Sequence, residues 1–391
     1  MVTAKFLQIH TLHSYPAALL NRDDSGLAKR LPFGDVVRTR ISSQCLKRHW
    51  RMAQDEFALS AIVPDADAIR SRNVVDREVI EPLQKAGRVT EDVLTAVQGA
   101  FNVGVYGSGG TAEAGRQPLL LGLPEVTYLR EKAALICDAY PADAKAAAAA
   151  AADLFRARGS EGANFAAFRD AARLPGGLVG ALFGRMVTSD PAANIDAAIH
   201  VAHAFTVHRE ENESDYFAVV DDLRRDDESA GAAHIGDMEL TAGLFYGYVV
   251  VHVPGLVSNL EGCSPKDWQD ADRGIAGQVV DHLLRLIATV SPGAKLGSTA
   301  PYGYAELMLI EAGSRQPRSL ANAFRIPVRA QVEPAVSALA EELQGLDGMY
   351  GVKEVRRISS KKDHGIPDTE RIDLDGLASW AAGAVRKGEA V

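Results

Sequence analysis

Residues 20–51 read LNRDDSGLAKRLPFGDVVRTRISSQCLKRHWR, and the rest of the chain is read outward from them. Between Arg22 and Arg51 stand eight cations (Arg22, Lys29, Arg30, Arg38, Arg40, Lys47, Arg48, Arg51) against Asp23, Asp24 and Asp35, a balance of 8 − 3 = +5, whereas the whole chain carries −9. A basic cluster on an acidic protein marks a groove for a polyanion, because release of condensed counterions rewards clustered Lys and Arg. Ser42 and Ser43 precede the helical run Gln44 to Arg51, so a serine caps the helix while its first-turn N–H groups face a phosphate. Gln44, Lys47 and Arg51 fall at i, i+3 and i+7 and share one face, and Leu46 and Trp50 share another that packs inward. The same spacing also suits a basic face that only meets solvent.

The 391 residues suffice for at least one sizeable core. No apolar run is long enough to span a membrane. MVTAKFLQIH lacks the apolar core of a secretory leader. Cys45, Cys137 and Cys263 lie far apart, a reducing, cytoplasmic pattern with neither a disulfide framework nor a zinc motif.

Phe6 to Leu12 alternates like a half-buried strand. In the turn NRDDSG the two carboxylates are suited to bonding local N–H groups. Residues 55–185 are Ala-rich and helical, as in Glu91 to Phe101 and Asp143 to Arg158, and the glycine-rich Gly104 to Gly110, with no Lys-Ser/Thr after it, reads as a linker. Asn194 to Val207 alternates as a strand. There His200 and His203 have opposite parity, which argues against a shared metal. Arg209 to Glu239 is a charged excursion carrying Tyr216 and Phe217. Leu240 to Val253 reads as a strand, Trp268 to Val290 as an amphipathic helix and Ala305 to Ile310 as a strand. Without its insertions the order is strand, helix, strand, strand, helix, strand, the ferredoxin-like arrangement of RNA-recognition domains.

Several segments carry a family resemblance: FLQIHTLHSYPAALLNRDD, RTRISSQCLKRHWR, GRMVTSD (Gly184 to Asp190), AIHVAHAFTVH, YFAVVDDL, HIGDMELTAGLFYGYVVV and SLANAF (Ser319 to Phe324). In this order, over roughly residues 5 to 325, they resemble the CasC family, the repeating backbone subunit of the type I-E CRISPR Cascade complex. The resemblance implies an α+β fold shaped as a hand, with a ferredoxin-like, RNA-recognition-type palm, a large helical insertion as fingers and a charged insertion as thumb. On this chain the parts are 1–54 (palm with the guide-binding arm), 55–185 (fingers), 186–208 (palm strand), 209–239 (thumb), 240–325 (second part of the palm) and 326–391 (a C-terminal helical segment).

The resemblance further implies that Arg22, Lys29, Ser42, Gln44, Lys47 and Arg51 hold the CRISPR RNA backbone. Arg185, Met186, Tyr216 and Phe217 would also contact the RNA, Met186 and Phe217 contacting or wedging at its kinked bases. About six copies along one guide, beside other Cascade subunits, would present the spacer to target single-stranded DNA, the protein holding backbone shape while pairing reads sequence. No cofactor is expected. No GxSxG, HExxH, CxxC or Walker motif occurs, so the chain reads as non-catalytic. The alternative is a guide-bound ribonuclease like type III backbone subunits, using Asp23, Asp24 or the pair Asp221 and Asp222.

Overall fold

The computed structural model describes residues 1–63, 66–87, 89–155, 176–187, 193–219 and 234–391. It is mixed α and β, and it divides into two compact units: Met1–Ala58 with Val201–Val251 and Gly277–Val391, and Leu59–His200 with His252–Ala276.

In the first unit a sheet runs, edge to edge, Glu370–Arg371, Val355–Ser360, Ala305–Gly313, Phe6–Ala18, His234–His252, Ala204–Thr206, Val36–Ile41 and Arg30–Phe33. Ala305–Gly313 is antiparallel to both its neighbours, and the short Glu370–Arg371 pairs in parallel with Val355–Ser360. Alternation predicts that Phe6 to Leu12 is half-buried, but Leu7 through Leu12 are all buried. Both faces of the sheet are covered. On one, Thr11, Tyr15 and Phe245 meet Leu46 and Trp50 of helix Ser43–Met52 and Ile287 of helix Gly274–Thr289. On the other, Leu12, Tyr246, Leu309 and Ile358 pack against Ala335, Val336, Leu339 and Leu343 of helix Val332–Tyr350.

The polar residues under helix Val332–Tyr350 tolerate burial because they satisfy one another. Glu311 takes two bonds from Arg318 (2.8 and 3.0 Å) and one from Arg356 (2.8 Å). Arg356 in turn reaches both Asp347 oxygens (2.6 and 2.7 Å). Burial alone would raise the Glu311 pKa, but hydrogen bonds from His10 and Arg318 outweigh it and hold the carboxyl far below the usual range. Burial lowers the His10 pKa. Its Nε2 donates to Glu311 at 3.3 Å, and its Nδ1 meets the Tyr246 hydroxyl at 2.9 Å.

Two expectations are corrected in this unit, and a third element is given its form. The segment 326–391, read as helical, also carries Val355–Ser360, which joins the sheet, and Glu389–Ala390, which pairs with Val2–Thr3. The excursion 209–239 is not a separate insertion between strands. Glu211–Val219 pairs residue for residue with the start of His234–His252, from Val219 opposite His234 to Glu211 opposite Ala242, so the strand begins before Leu240. Residues 220–233 of the excursion, with Asp221 and Asp222, lie outside the described residues, as do Thr188 to Asp190 of GRMVTSD and the last residues of the Ala-rich run. Finally, the basic arm is a hairpin, Arg30–Phe33 against Val36–Ile41. Gly34 and Asp35 both have positive φ (62° and 61°), the signature of a tight type I′ turn. A Cβ at Gly34 would also collide with the Arg325 carbonyl.

The second unit is built on helices Glu91–Tyr106, Leu123–Ala139 and Ala144–Leu154, packed through Val97, Phe101, Leu129, Ala133, Ala147 and Ala151. Alanine at 147 and 151 lets the last helix approach closely. Gly104 to Gly110, expected as a linker, instead ends the first of these helices and forms a 3-10 turn, Gly107–Thr111. Helix Val253–Glu261, which the sequence places in the second part of the palm, belongs to this unit. Its Asn259 amide donates to the carbonyls of Ala181 and Asp196, both at 2.8 Å. Among the described residues no helix is long and apolar enough to cross a membrane.

Candidate nucleic-acid interface

Helix Ser43–Met52 starts where strand Val36–Ile41 ends, and Ser42 turns the chain between them. Its hydroxyl accepts the Cys45 N–H (3.3 Å), and its own N–H donates to Asn21 Oδ1 (2.9 Å). Ser42 and Ser43 are both buried. The Ser42 hydroxyl, expected on the guide, is thus committed to the cap, and the positive end of the helix dipole lies at Ser43 and Gln44. As the spacing predicts, Trp50 is buried and Leu46 packs with Tyr15, Ile41 and Phe245. Gln44 and Arg48 are exposed, and Lys47 and Arg51 are half-buried. His49 donates from Nδ1 to the Cys45 carbonyl (2.8 Å), so its Nε2 is free of a proton and accepts the Gly293 N–H at 3.4 Å.

Three cations from three elements converge beside the cap. Arg40 donates to Nδ1 of the exposed His203 (2.8 Å) and to the Arg30 carbonyl (3.0 Å). Partial burial, then the positive charges of Arg40, Lys29 and Lys47, hold His203 below its ordinary pKa. Sequence reasoning counted Arg40 in the basic cluster and argued against a metal at His203, but did not bring the two together. The usable signal is strand register: Arg40 lies opposite Phe205 and Ile41 opposite Ala204, which carries Arg40 to the chain just before Ala204.

The cations of the basic stretch are not equivalent. Arg38 is wholly buried and donates to the carbonyls of Phe33, Thr206 and Phe324 (3.1, 3.0 and 2.7 Å). Arg30 is paired with Glu210 and Glu239. Both hold the fold together, and Arg22, Lys29, Arg40, Lys47, Arg48 and Arg51 remain as the candidate rim. Arg22 is exposed and bridges to Ala28 through its backbone. Asp23 Oδ1 accepts the N–H groups of Ser25 and Leu27 (2.9 and 3.0 Å), which closes the turn locally.

The other predicted residues are placed differently from one another. Arg185 is buried in the second unit, with both Glu125 oxygens at 2.6 and 2.7 Å and the Ala193 carbonyl at 2.9 Å. Its charge is spent inside the fold. The adjacent Met186 is 71% exposed. Tyr216 and Phe217, successive in strand Glu211–Val219, have opposite fates because neighbouring side chains leave opposite faces. Tyr216 is 65% exposed, while Phe217 packs beside Leu19, Ala28 and Met238 with the Lys295 ammonium 5.5 Å from its ring centre. Among the described residues no group of three or more His, Cys, Asp or Glu is placed to hold a metal ion.

No curated protein matches this sequence. Among solved structures, a chain of a pre-nicking CRISPR RNA-guided surveillance complex is similar over 96% of this chain and 100% of its own, at 26% identity and a TM-score of 0.73. A chain of another CRISPR RNA-guided surveillance complex, at 21% identity and a TM-score of 0.54, covers 96% of this chain and 98% of its own and shares the fold. The sequence pattern of the CT1975-like proteins matches residues 7–382, and the chain belongs to that family.

Proposed function

We propose that this protein is a non-catalytic, CRISPR RNA-binding backbone subunit of a surveillance complex of type I-E, polymerising along the guide and presenting it to target single-stranded DNA. The observation that carries the reading is the convergence of Lys29, Arg40 and Lys47 around His203, beside the positive end of helix Ser43–Met52. These cations come from an arm, a strand and a helix, so the fold itself gathers them, and a sugar-phosphate backbone is the polyanion that suits such a row. The likeness to a chain of an RNA-guided complex supports the same assignment.

The strand order supports a ferredoxin-like palm. Taking Phe6–Ala18, Ala204–Thr206, His234–His252 and Ala305–Gly313 as strands one to four, they lie in the order 4-1-3-2. Helices Ser43–Met52 and Gly274–Thr289 cover one face of them. RNA-recognition domains stack bases on the opposite, open face. Here helix Val332–Tyr350 occupies that face, so the guide is held at the cap of helix Ser43–Met52 instead. Arg22, Lys29, Arg40, Gln44, Lys47 and Arg51 contact its backbone, Ser42 fixes the cap, and Met186 and Tyr216 offer exposed side chains to bases. The strand pair built on Glu211–Val219 acts as a thumb on the guide segment of the next copy. The commitment of Asp23 to its own turn weighs against a guide-bound ribonuclease.

Co-expressed with a CRISPR array, the protein is expected to retain RNA of one discrete length and to leave complementary RNA or DNA intact in magnesium or manganese. Heterogeneous short fragments, or cleavage abolished by Asp23→Ala or Asp24→Ala, would overturn the non-catalytic assignment.

A further inference from the structure

The segment 291–304, SPGAKLGSTAPYGY, joins helix Gly274–Thr289 to strand Ala305–Gly313 and is held like a built element. Ser291 Oγ donates to the Gly303 carbonyl and accepts the Gly303 N–H, both at 2.9 Å, which closes the base of the loop. The Gly293 N–H reaches His49 of the basic helix (3.4 Å), and the Ala294 N–H reaches the Leu19 carbonyl (2.9 Å), just before the basic arm. The loop therefore flanks the same cap that gathers Lys29, Arg40 and Lys47.

Two features of this loop are not explained by folding. Lys295 and Ala300 sit at φ 54° and 40°, a left-handed conformation that glycine adopts without strain. The Lys295 ammonium lies over the Phe217 ring of strand Glu211–Val219. Tyr302 is 76% exposed although the loop that carries it is pinned. An exposed aromatic on a loop anchored to the basic helix suits the way single-stranded nucleic acid is held, with bases stacked on rings and phosphates on cations.

We infer that loop 291–304 forms a second wall of the RNA site, with Tyr302 stacking on a base of the guide and Lys295 meeting its backbone. This rests on the RNA-binding reading above. The nearby Tyr304, also exposed, serves as the contrast. It lines a cleft with Glu306, Lys361, Arg371 and Asp373, in which Lys361 pairs with Glu306 (3.2 Å) and Arg371 with Asp363 (3.5 Å), so no surplus of positive charge gathers there.

The test titrates a single-stranded RNA carrying 2-aminopurine into the wild-type protein and into Tyr302→Ala, Tyr302→Phe, Tyr304→Ala, Lys295→Gly and the double variant Lys47→Ala/Arg51→Ala. Tyr302→Ala is expected to bind about tenfold more weakly and to lose the fluorescence quenching that stacking causes, while Tyr302→Phe keeps both. Lys295→Gly, which relieves the backbone, should lower the salt slope by about 0.7. Tyr304→Ala should match wild type. If binding depends on Lys47 and Arg51 but is unchanged in Tyr302→Ala, or falls equally in Tyr302→Phe and Tyr304→Ala, the second wall is wrong and the RNA-binding reading stands. If the wild type binds no RNA, the reading beneath it fails.

Discussion

Two charged regions of the first unit contrast sharply. Under helix Val332–Tyr350, Glu311 and Asp347 are met by Arg318 and Arg356, and every charge is answered by another within the fold. At the cap of helix Ser43–Met52, Arg40 donates to His203, and Lys29 and Lys47 also bear on that imidazole. A balanced buried network needs nothing from outside and serves folding. A surface where cations cluster is one that a polyanion favours by releasing its counterions. The same residue type therefore serves two ends, and composition alone cannot separate them.

The largest effect expected from this contrast is on the buried side. Glu311→Gln leaves Arg318 and Arg356 short of a counter-charge and should cost about 3–5 kcal/mol at neutral pH, by urea unfolding. The folded-state pKa of Glu311 lies below its unfolded value. Its contribution is thus complete above about pH 4.5 and is lost as pH falls further, so wild type and variant should converge in acid. An unchanged midpoint at neutral pH would show that the network does not stabilise the sheet.

Arg38 and Arg40, two apart on one strand, sharpen the comparison. Arg38→Ala strips three buried carbonyls of their donor and opens a cavity, with an expected loss of about 3 kcal/mol. Arg40→Ala should change stability by less than about 1 kcal/mol while weakening RNA binding. Equal effects on stability would erase the distinction between core and rim.

The smallest effects concern strand Glu211–Val219. Phe217→Ala should destabilise the protein by about 1–2 kcal/mol through lost packing. Tyr216→Ala should leave folding alone and loosen assembly on the guide, read as protein mass per RNA length by native mass spectrometry. Stoichiometry unchanged in Tyr216→Ala would remove this tyrosine from the contact between copies.

The elements that alternate or repeat cleanly were legible in the sequence. The strands starting at Phe6 and Ala305 and the helices starting near Ser43 and within Trp268 to Val290 follow from local pattern, as does the inward packing of Leu46 and Trp50, whereas the run of the first strand on through Ser14 to Ala18 does not. Val355–Ser360 was not legible, because VRRISS looks like a basic surface cluster. Its Arg356 is buried because Asp347, nine residues away, and Glu311, 45 residues away, neutralise it. Arg185 misleads for the same reason: its partner Glu125 lies 60 residues away. The pairing of Arg40 with His203 spans 163 residues and depends on strand register, which no local window contains.

The central claim is that Lys29, Arg40 and Lys47 act together on an RNA backbone. The most direct measurement is the salt dependence of single-stranded RNA affinity for wild type and for the triple variant Lys29→Ala/Arg40→Ala/Lys47→Ala, over several unrelated sequences. Three lost phosphate contacts predict a slope of log affinity against log salt that is shallower by about two, equally for every sequence and with an unchanged unfolding midpoint. A slope unchanged by the triple substitution, or a loss confined to one sequence, would contradict it.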